Sequence, residues 1–164
     1  MKTVFETKRI RYVELSELLI SDYLRMVNDI ENVGRLIGRT EPVTEEAERE
    51  WVRGKLEEKA PIFSMIDKES GAFIGNIELM DVHDGVGELG IAITADQQER
   101  GYGTEAIPAI LQYGVNVCGL HRIFLKAYPF NARAIHVYEK CGFREYDRTA
   151  DDIFMEIRPP FPAC

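Results

Sequence analysis

The sequence predicts an α/β (α+β) fold, with one mixed domain over residues 1–164 and a mostly antiparallel sheet flanked by helices. From residue 61 onward, the runs PIFSMID, GAFIGNIELMDV and VGELGIAIT have the apolar, β-rich character of strands, and only short turns separate them. Such short connections favour antiparallel neighbours. Stretches with helical spacing of apolar residues precede and follow these runs. FREYDR and DIFMEIR close the chain as a predicted hairpin.

The composition is ordinary for a globular domain and narrows the class of function. The chain has 164 residues, 45% hydrophobic and 29% charged, and its apolar runs are too short to span a membrane. The N-terminal run MKTVFETKRIRYVEL is charged throughout, unlike a signal peptide. Cys118, Cys141 and Cys164 are widely spaced, which argues against a disulfide framework or zinc site and favours a cytoplasmic protein. The net charge of −8 disfavours nucleic acid as a partner.

The first part of the chain is predicted to contain a strand and two helices. Residues 3–13 alternate like a strand, and residues 31–42 are polar, contain glycine and are expected to form a loop. Ser16 and Thr44 are the expected N-caps of the two helices. The predicted buried stripes are Leu19, Tyr23, Met26 and Val27 on the first helix, and Ala47, Trp51, Val52 and Leu56 on the second.

Two more helices and a strand are predicted after residue 100. Pro108 is tolerated only near a helix start, so the third helix is expected to begin within about a turn before it. HRIFLKAY is a predicted strand, Asn131 begins the fourth helix, and Gly142 fits its C-cap. The predicted buried faces are Ile107, Ile110, Leu111 and Gly114 on the third helix, and Ala134, Val137, Tyr138 and Cys141 on the fourth.

The stretch QQERGYGTEA, which ends at Ala106, is the first candidate for a binding site. It fits G-x-G-x-x-A, but six residues separate the preceding strand from Gly101, and no carboxylate follows about 20 positions on to bind a ribose. A dinucleotide site is therefore disfavoured, and no Walker A motif occurs. A helix N-terminus with Gly101, Gly103 and Arg100 is suited to hold phosphate. The alternative is a glycine-rich turn with an incidental arginine.

Two motifs together resemble the GNAT superfamily of N-acetyltransferases. Gln98-x-x-Gly101-x-Gly103, after the strand GELGIAIT, is similar to the acetyl-CoA loop of that family, and AYPFNARAIHVYEKCGF resembles its second signature. Both lie in the family's order and spacing between Glu88 and Phe143. The resemblance implies a strongly twisted sheet of about 6–7 strands with about four helices and splayed central strands. The N-terminal pattern further resembles the group of ribosomal-protein N-terminal and spermidine acetyltransferases.

The resemblance also implies how acetyl-CoA is held. The cofactor's pyrophosphate is expected at the loop amides, which belong to Gln98, Glu99, Arg100, Gly101, Tyr102, Gly103 and Thr104. The pantetheine arm is expected along Leu89–Ile93, where that strand splays from the strand at 121–128. A free amide near Ile91 is expected to polarise the thioester carbonyl, with Ala92 and Ile93 also in contact. Asn131, Ala134 and Tyr138 complete the expected cofactor contacts, although Asn131 is also a good N-cap without any ligand.

The catalytic candidates follow from the reaction that the resemblance implies. Tyr138 matches the tyrosine of the second signature and is the candidate acid for the departing thiolate; from periodicity alone it is a core residue. Glu88 is the first candidate for the base, directly or through water, and the others are Glu78, His83 and Asp81. The histidines His83, His121 and His136 lack metal-ligand spacing, so no metal is expected. Cys141 fits helix packing, which favours direct transfer without an acyl-enzyme.

Two functions from different classes remain open. The first is transfer of an acetyl group to a primary amine, and the second is a CoA-binding sensory or regulatory module without turnover. The expected acceptor is a small-molecule or peptide amine. Acidic residues such as Glu31, Glu41 and Glu45 are compatible with a polyamine, a basic peptide or solvation alone. A homodimer is a further expectation from the family.

Overall fold

The structure is a computed structural model that describes residues 1–162. Its hydrogen-bonded strands form an eight-stranded sheet in the order β1-β2-β3-β4-β5-β6-β8-β7. The strands are β1 (Thr3–Glu6), β2 (Ile10–Glu14), β3 (Ile62–Asp67), β4 (Phe73–His83), β5 (Val86–Ile93), β6 (Arg122–Ala127), β7 (Arg144–Arg148) and β8 (Ile153–Ile157). The α-helices are α1 (Ile20–Val27), α2 (Glu45–Glu57), α3 (Tyr102–Asn116) and α4 (Ala132–Lys140). Short 3₁₀ helices cover Glu17–Leu19, Gly34–Ile37 and Ala95–Gln97.

Residues 1–77 and 91–102 form one compact unit. In it β1, β2 and β3 pair antiparallel, with Ile10 opposite Asp67 at one end of the β2–β3 ladder. Its core combines apolar side chains from β2, β3, α1 and α2, among them Val13, Tyr23, Met26, Val52 and Ile66. Tyr23 carries a polar group into this core, where its hydroxyl lies 2.6 Å from the Ser64 hydroxyl.

Residues 78–90 and 103–162 form a second compact unit. Here β5 and β6 are parallel, which the crossover through α3 allows, while β6, β8 and β7 are antiparallel. Gly114 on α3 marks close packing, since a Cβ at this position would lie 3.0 Å from Leu79 and 3.2 Å from Ile123. The single-domain organisation expected from the sequence stays a prediction.

The predicted element order is confirmed, with local corrections in the first hundred residues. Residues 3–13 form two strands, not one, because the chain reverses between Glu6 and Ile10 and pairs with itself. This hairpin explains why the sheet has eight strands where about 6–7 were expected. The expected loop at 31–42 contains the 3₁₀ helix Gly34–Ile37. Thr44 is confirmed as the N-cap of α2, whereas Ser16 caps the 3₁₀ helix Glu17–Leu19 that leads into α1, and the N-cap of α1 itself is Leu19.

The predicted faces of the helices are confirmed in part. On α2, Val52 is buried, but Ala47 and Leu56 are exposed and Glu48 is buried instead. The helix turns its narrow inner face toward α1, so residues at the margins of the predicted stripe stay in solvent. α3 begins six residues before Pro108 and not within one turn of it, so the helix tolerates an interior proline. On α4, Ala134, Val137 and Tyr138 are only half-buried.

No helix in residues 1–162 combines the length and the apolar character needed to cross a bilayer. Within the same residues, no group of three or more His, Cys, Asp or Glu side chains is arranged to hold a metal ion. Within residues 1–162, neither Cys118 nor Cys141 takes part in a disulfide, and Cys164 lies outside the described residues.

Candidate active site

The glycine loop leaves β5 through the 3₁₀ helix Ala95–Gln97 and enters α3 at Tyr102. Two residues in it adopt a left-handed backbone, Glu99 with φ 61° and Gly101 with φ 81°. Such a conformation is costly for a glutamate, so contacts from outside the loop must hold it. One such contact joins the loop residue Gln98 to Asn32 outside the loop: the Gln98 side-chain amide donates to Asn32 O at 3.2 Å, and also to Ile93 O at 2.9 Å.

Arg9 supplies a second contact to the loop. Its Nη1 donates to the carbonyl oxygen of Arg100 at 2.9 Å, and its guanidinium lies 4.4 Å from the centre of the Tyr102 ring. The Tyr102 hydroxyl in turn donates to Asp67 Oδ2 at 2.7 Å. The Ser70 amide and the Tyr102 hydroxyl, in that order, lower the pKa of the Asp67 carboxyl to about 2. Asp67 therefore stays ionised and anchors the first residue of α3.

The start of α3 has the chemistry of an anion site. The helix has 15 residues from Tyr102 to Asn116, so its first amides lack intrahelical acceptors and carry the positive end of the helix dipole. Of the predicted loop amides, that of Gln98 is already engaged, since it donates to Ala95 O at 3.3 Å. One of the backbone amides predicted to bind the pyrophosphate, at the N-terminal end of the loop, is therefore already used within the protein.

The last residues of β5 are held against β4. The amide of Thr94 donates to Ile74 O at 2.9 Å. A Cβ at Gly75 would overlap the carbonyl oxygen of Ala92 and lie 2.9 Å from Ile93 Cα. Position 75 therefore has to be glycine for this part of β5 to lie where it does. Ile91, Ala92 and Ile93 are all half-buried.

In the second unit the parallel pairing of β5 with β6 is short. Its register pairs are Val86–Arg122, Gly87–Ile123 and Glu88–Phe124. Both strands continue beyond the last of these pairs, β5 to Ile93 and β6 to Ala127. In the part of the chain that the structure describes, Glu88 is thus the last β5 residue paired with β6. This short register fits the separation of strands that the family pattern implies.

Glu88 lies at this last pair with a half-buried side chain. Burial is the largest influence on its carboxyl and raises the pKa; Lys126 lowers it and Asp81 raises it. A raised pKa makes a carboxylate a stronger base near neutral pH. The rival candidates have other surroundings. Glu78 lies beside Gly90, whose Cβ position is 3.2 Å from Glu78 Cγ, while the exposed His83 ring contacts Asp81 O at 2.7 Å.

Tyr138 lies on α4 with its side chain half-buried and its ring edge-on to Phe143, at 6.0 Å between centroids. Burial raises the pKa of its phenol to about 12. The hydroxyl therefore carries its proton throughout the neutral range, as an acid must before it donates.

Asn131 is the N-cap of α4, and its side-chain oxygen accepts from the Ala134 amide at 3.4 Å. This long contact accounts for the residue locally, so its predicted contact with the cofactor stays a prediction. Ala134, one turn into the helix, is half-buried.

The structure distributes the predicted residues over both units. Ile91 to Tyr102 belong to the first, while Gly103, Thr104, Glu88, Asn131, Ala134 and Tyr138 belong to the second. The sequence alone did not predict a role for Arg9, Asp67 and Gly75, which shape the loop and the end of β5. No local motif marks them, because the contact from Arg9 to Arg100 spans 91 positions. The sequence indicated only that each of these residues lies in or beside a predicted strand.

Comparison with known proteins gives the family. A family model described as an acetyltransferase (GNAT) domain matches residues 9–144. A spermidine N(1)-acetyltransferase of Vibrio cholerae is 31% identical over 87 residues, which cover 52% of this chain and 50% of that protein. The corresponding enzyme of Escherichia coli K12 is 32% identical over 89 residues, covering 54% and 47%. The chain thus spans about half the length of these curated relatives.

Solved structures share the fold over nearly the whole chain. The spermidine N-acetyltransferase of Vibrio cholerae in complex with CoA and spermine superposes with a TM-score of 0.84 at 21% identity, covering 93% of this chain and 96% of that one. A GNAT-family acetyltransferase of Bacillus anthracis has a TM-score of 0.81 at 22% identity, with the same coverage. These likenesses establish the fold, and the match over residues 9–144 establishes that the chain belongs to the GNAT acetyltransferase family.

Proposed function

We propose that the protein is an N-acetyltransferase that moves an acetyl group from acetyl-CoA to a primary amine. The observation that carries the proposal is the conformation of the glycine loop. Left-handed Glu99 and Gly101 turn the chain into a 15-residue helix whose first amides lack intrahelical acceptors. A pyrophosphate matches these donors in charge and geometry.

The residues present fit acetyl-CoA. Gly101 carries no Cβ, and the nearest heavy atom to where one would stand is Arg9 Nη2 at 3.4 Å, so cationic and amide donors meet at this turn. Arg100 adds a further positive charge to the loop. The main chain of Ile91–Ile93 is proposed to hold the pantetheine arm, with the Ile91 amide donating to the thioester carbonyl. Asn131 and Ala134 are proposed as contacts at the start of α4.

Glu88 is proposed to remove the proton from the attacking ammonium. The amine is protonated in water and becomes a nucleophile only when that proton leaves. Burial raises the pKa of the Glu88 carboxyl toward the range in which it accepts a proton effectively. The nitrogen then forms a bond to the thioester carbon, and the carbon–sulfur bond breaks.

Tyr138 is proposed to donate a hydrogen bond or proton to the departing sulfur. Its pKa of about 12 keeps the phenol protonated, so the hydroxyl is available as a donor while negative charge develops on the sulfur and the carbon–sulfur bond breaks. Two protons leave the nitrogen in all: Glu88 takes the first from the ammonium, and the second leaves as the amide forms. Tyr138 gives its proton to the departing sulfur and recovers one of those two, and the other passes to water.

The proposed acceptor class is a polyamine. The supporting observations are the match to two spermidine N(1)-acetyltransferases and the net charge of −8, which attracts a polycation. A peptide with a free N-terminus is the second acceptor class, since the charge suits a basic peptide equally. An assembly of several subunits is also proposed, because a relative of the same fold is described as a dodecamer.

The test is release of the CoA thiol from acetyl-CoA with spermidine, lysine, an amino sugar and peptides with free N-termini. Each acceptor is run with the protein and with Tyr138→Phe. Release with spermidine, reduced in the variant, is the expected result. Release only with a peptide would show that the acceptor is a peptide N-terminus and not a polyamine. Tight CoA binding without release from any acceptor would favour the non-catalytic module.

A further inference from the structure

We propose that Arg9 is a positioning residue for acetyl-CoA, acting through the turn Arg100–Tyr102. The inference rests on the proposed function, since it presumes that this turn holds the cofactor's pyrophosphate. It adds a residue that lies far outside both sequence signatures and that contacts the loop from β-hairpin β1–β2.

Arg9 holds the turn at two points. Its Nη1 donates to the Arg100 carbonyl oxygen at 2.9 Å, which fixes the peptide plane between Arg100 and Gly101. The amide of Gly101 belongs to that same plane, so its direction is set at the same time. The guanidinium also stacks on the Tyr102 ring at 4.4 Å, a distance typical of a cation–π contact.

The partner of Arg9 in this contact is itself fixed. Tyr102 is 6% exposed, and its hydroxyl donates to Asp67 Oδ2 at 2.7 Å. The Asp67 Oδ1 atom accepts from the amides of Glu69 and Ser70 and from the Ser70 hydroxyl. The ring of Tyr102 therefore cannot turn away, and it presents a rigid face to the guanidinium.

The backbone of Arg9 is held by the same strand that carries Asp67. The amide of Lys68 donates to Arg9 O at 2.8 Å, and Ile10 stands opposite Asp67 in the β2–β3 ladder. Arg9, just before β2, and Asp67, at the end of β3, thus both contact Tyr102, the first through its ring and the second through its hydroxyl. The left-handed Glu99 and Gly101 need such an external support, because this backbone is unfavourable for Glu99.

The guanidinium of Arg9 also places positive charge next to the turn. Its Nη2 lies 3.4 Å from the place that a Cβ of Gly101 would occupy, and a larger residue at 101 would crowd it. A guanidinium is a planar fork of donors and matches phosphate oxygens. Arg9 thereby adds positive charge at the point where the turn offers its amides.

The experiment compares two acetyl donors, acetyl-CoA and acetyl-pantetheine, which lacks the pyrophosphate and the nucleotide. For Arg9→Gln we expect the KM for acetyl-CoA to rise about tenfold with kcat within about twofold, as loss of a charged hydrogen bond to the loop predicts. The kcat/KM for acetyl-pantetheine is expected to stay unchanged. Arg9→Lys keeps the charge without the planar fork. Its KM for acetyl-CoA is expected to lie between those of the parent protein and Arg9→Gln.

Lys8→Gln is the matched control, since Lys8 is exposed in the same hairpin and its loss removes the same charge. It is expected to leave both donors unaffected. Tyr102→Phe removes only the hydroxyl bond to Asp67 and is expected to raise the KM for acetyl-CoA about threefold. This variant tests whether fixing the Tyr102 ring matters for cofactor binding while Arg9 itself is kept.

Two outcomes would overturn the inference. The first is an equal loss with both donors, which indicates a general structural role, and the second is an unchanged KM for acetyl-CoA alongside a lowered melting temperature. Titration calorimetry with CoA distinguishes a failure of the role proposed for Arg9 from a failure of the proposed function. If the parent protein binds CoA and Arg9→Gln binds it equally well, only the role of Arg9 is wrong. If the parent protein does not bind CoA, the proposed function itself fails.

Discussion

Gly75 on β4 and Ala92 on β5 lie so close that a methyl group at position 75 would overlap the Ala92 carbonyl oxygen. The atoms in the way belong to backbone, including Ala92 C at 2.9 Å, so no side-chain rotation relieves the overlap. The end of β5 is the segment proposed to bind the pantetheine arm. The identity of residue 75 and the position of that segment are therefore coupled.

Gly75→Ala is expected to lower stability by about 2 kcal/mol, as overpacking does, and to raise the KM for acetyl-CoA. The matched control is Gly54→Ala on α2, where a Cβ would meet no heavy atom within 4 Å. Alanine favours the helix, so this change is expected to raise stability by up to about 1 kcal/mol. Urea unfolding and steady-state kinetics measure both variants. An unchanged KM in Gly75→Ala would separate the end of β5 from cofactor binding.

Tyr138→Phe is expected to lower kcat about 100-fold with little change in CoA affinity, because only the proton donor is lost. Tyr113→Phe, another half-buried tyrosine, is the control and should keep its activity. Because burial raises the pKa of Tyr138 to about 12, its ionisation cannot produce an alkaline limb below about pH 10. Rates of all three proteins across that range check both points. Full activity of Tyr138→Phe would make Tyr138 structural.

Glu88→Gln is expected to lower kcat about 100-fold near neutral pH, since the amide cannot accept the ammonium proton. The loss should shrink at higher pH, where the acceptor amine itself deprotonates. Burial raises the pKa of the Glu88 carboxyl, so the parent protein should lose activity on acidification earlier than an ordinary carboxyl would cause. Glu78→Gln is the rival variant on β4. A larger loss in Glu78→Gln would transfer the role of base to Glu78.

Asp67 is expected to make stability depend on pH in the acidic range. Its pKa is lowered from 3.8 to about 2 in the folded protein, so it stabilises the fold above about pH 4. That contribution is lost as pH falls toward about 2, where the folded carboxylate takes up a proton. Asp67→Asn should therefore be less stable than the parent at pH 6, and the gap should narrow toward pH 2. Urea unfolding at several pH values, with Asp151→Asn as the exposed control, measures it. A gap that stays constant with pH would contradict the assignment.

Most of the element order and half of the candidate site could be predicted from local patterns. The strands from residue 62 to 93 and the hairpin of β7 and β8 follow from apolar runs between short turns, which are local signals. The caps at Ser16, Thr44 and Asn131 follow from the preference of short polar side chains for free helix amides. The glycine loop and Tyr138 lie within contiguous signatures.

The predictions that were wrong have physical explanations. Residues 3–13 alternate throughout, and nothing local shows that the chain reverses between Glu6 and Ile10 to pair with itself. The exposure of Ala47 and the burial of Glu48 depend on which side of α2 meets α1. Pro108 is a weak marker of a helix start, since one lost hydrogen bond is tolerated within a helix of 15 residues.

The sequence alone determined the family, the order of strands and helices and the residues proposed to hold and transfer the acetyl group. These depend on contiguous motifs and on periodicity, which survive without knowledge of the packing. Only the tertiary structure decided what supports them: Arg9 and Asp67 beside the glycine loop, Gly75 beneath Ala92, and the burial that raises the pKa values of Glu88 and Tyr138. Contacts between residues far apart in the chain arise when strands pair, and desolvation is a property of the folded surroundings.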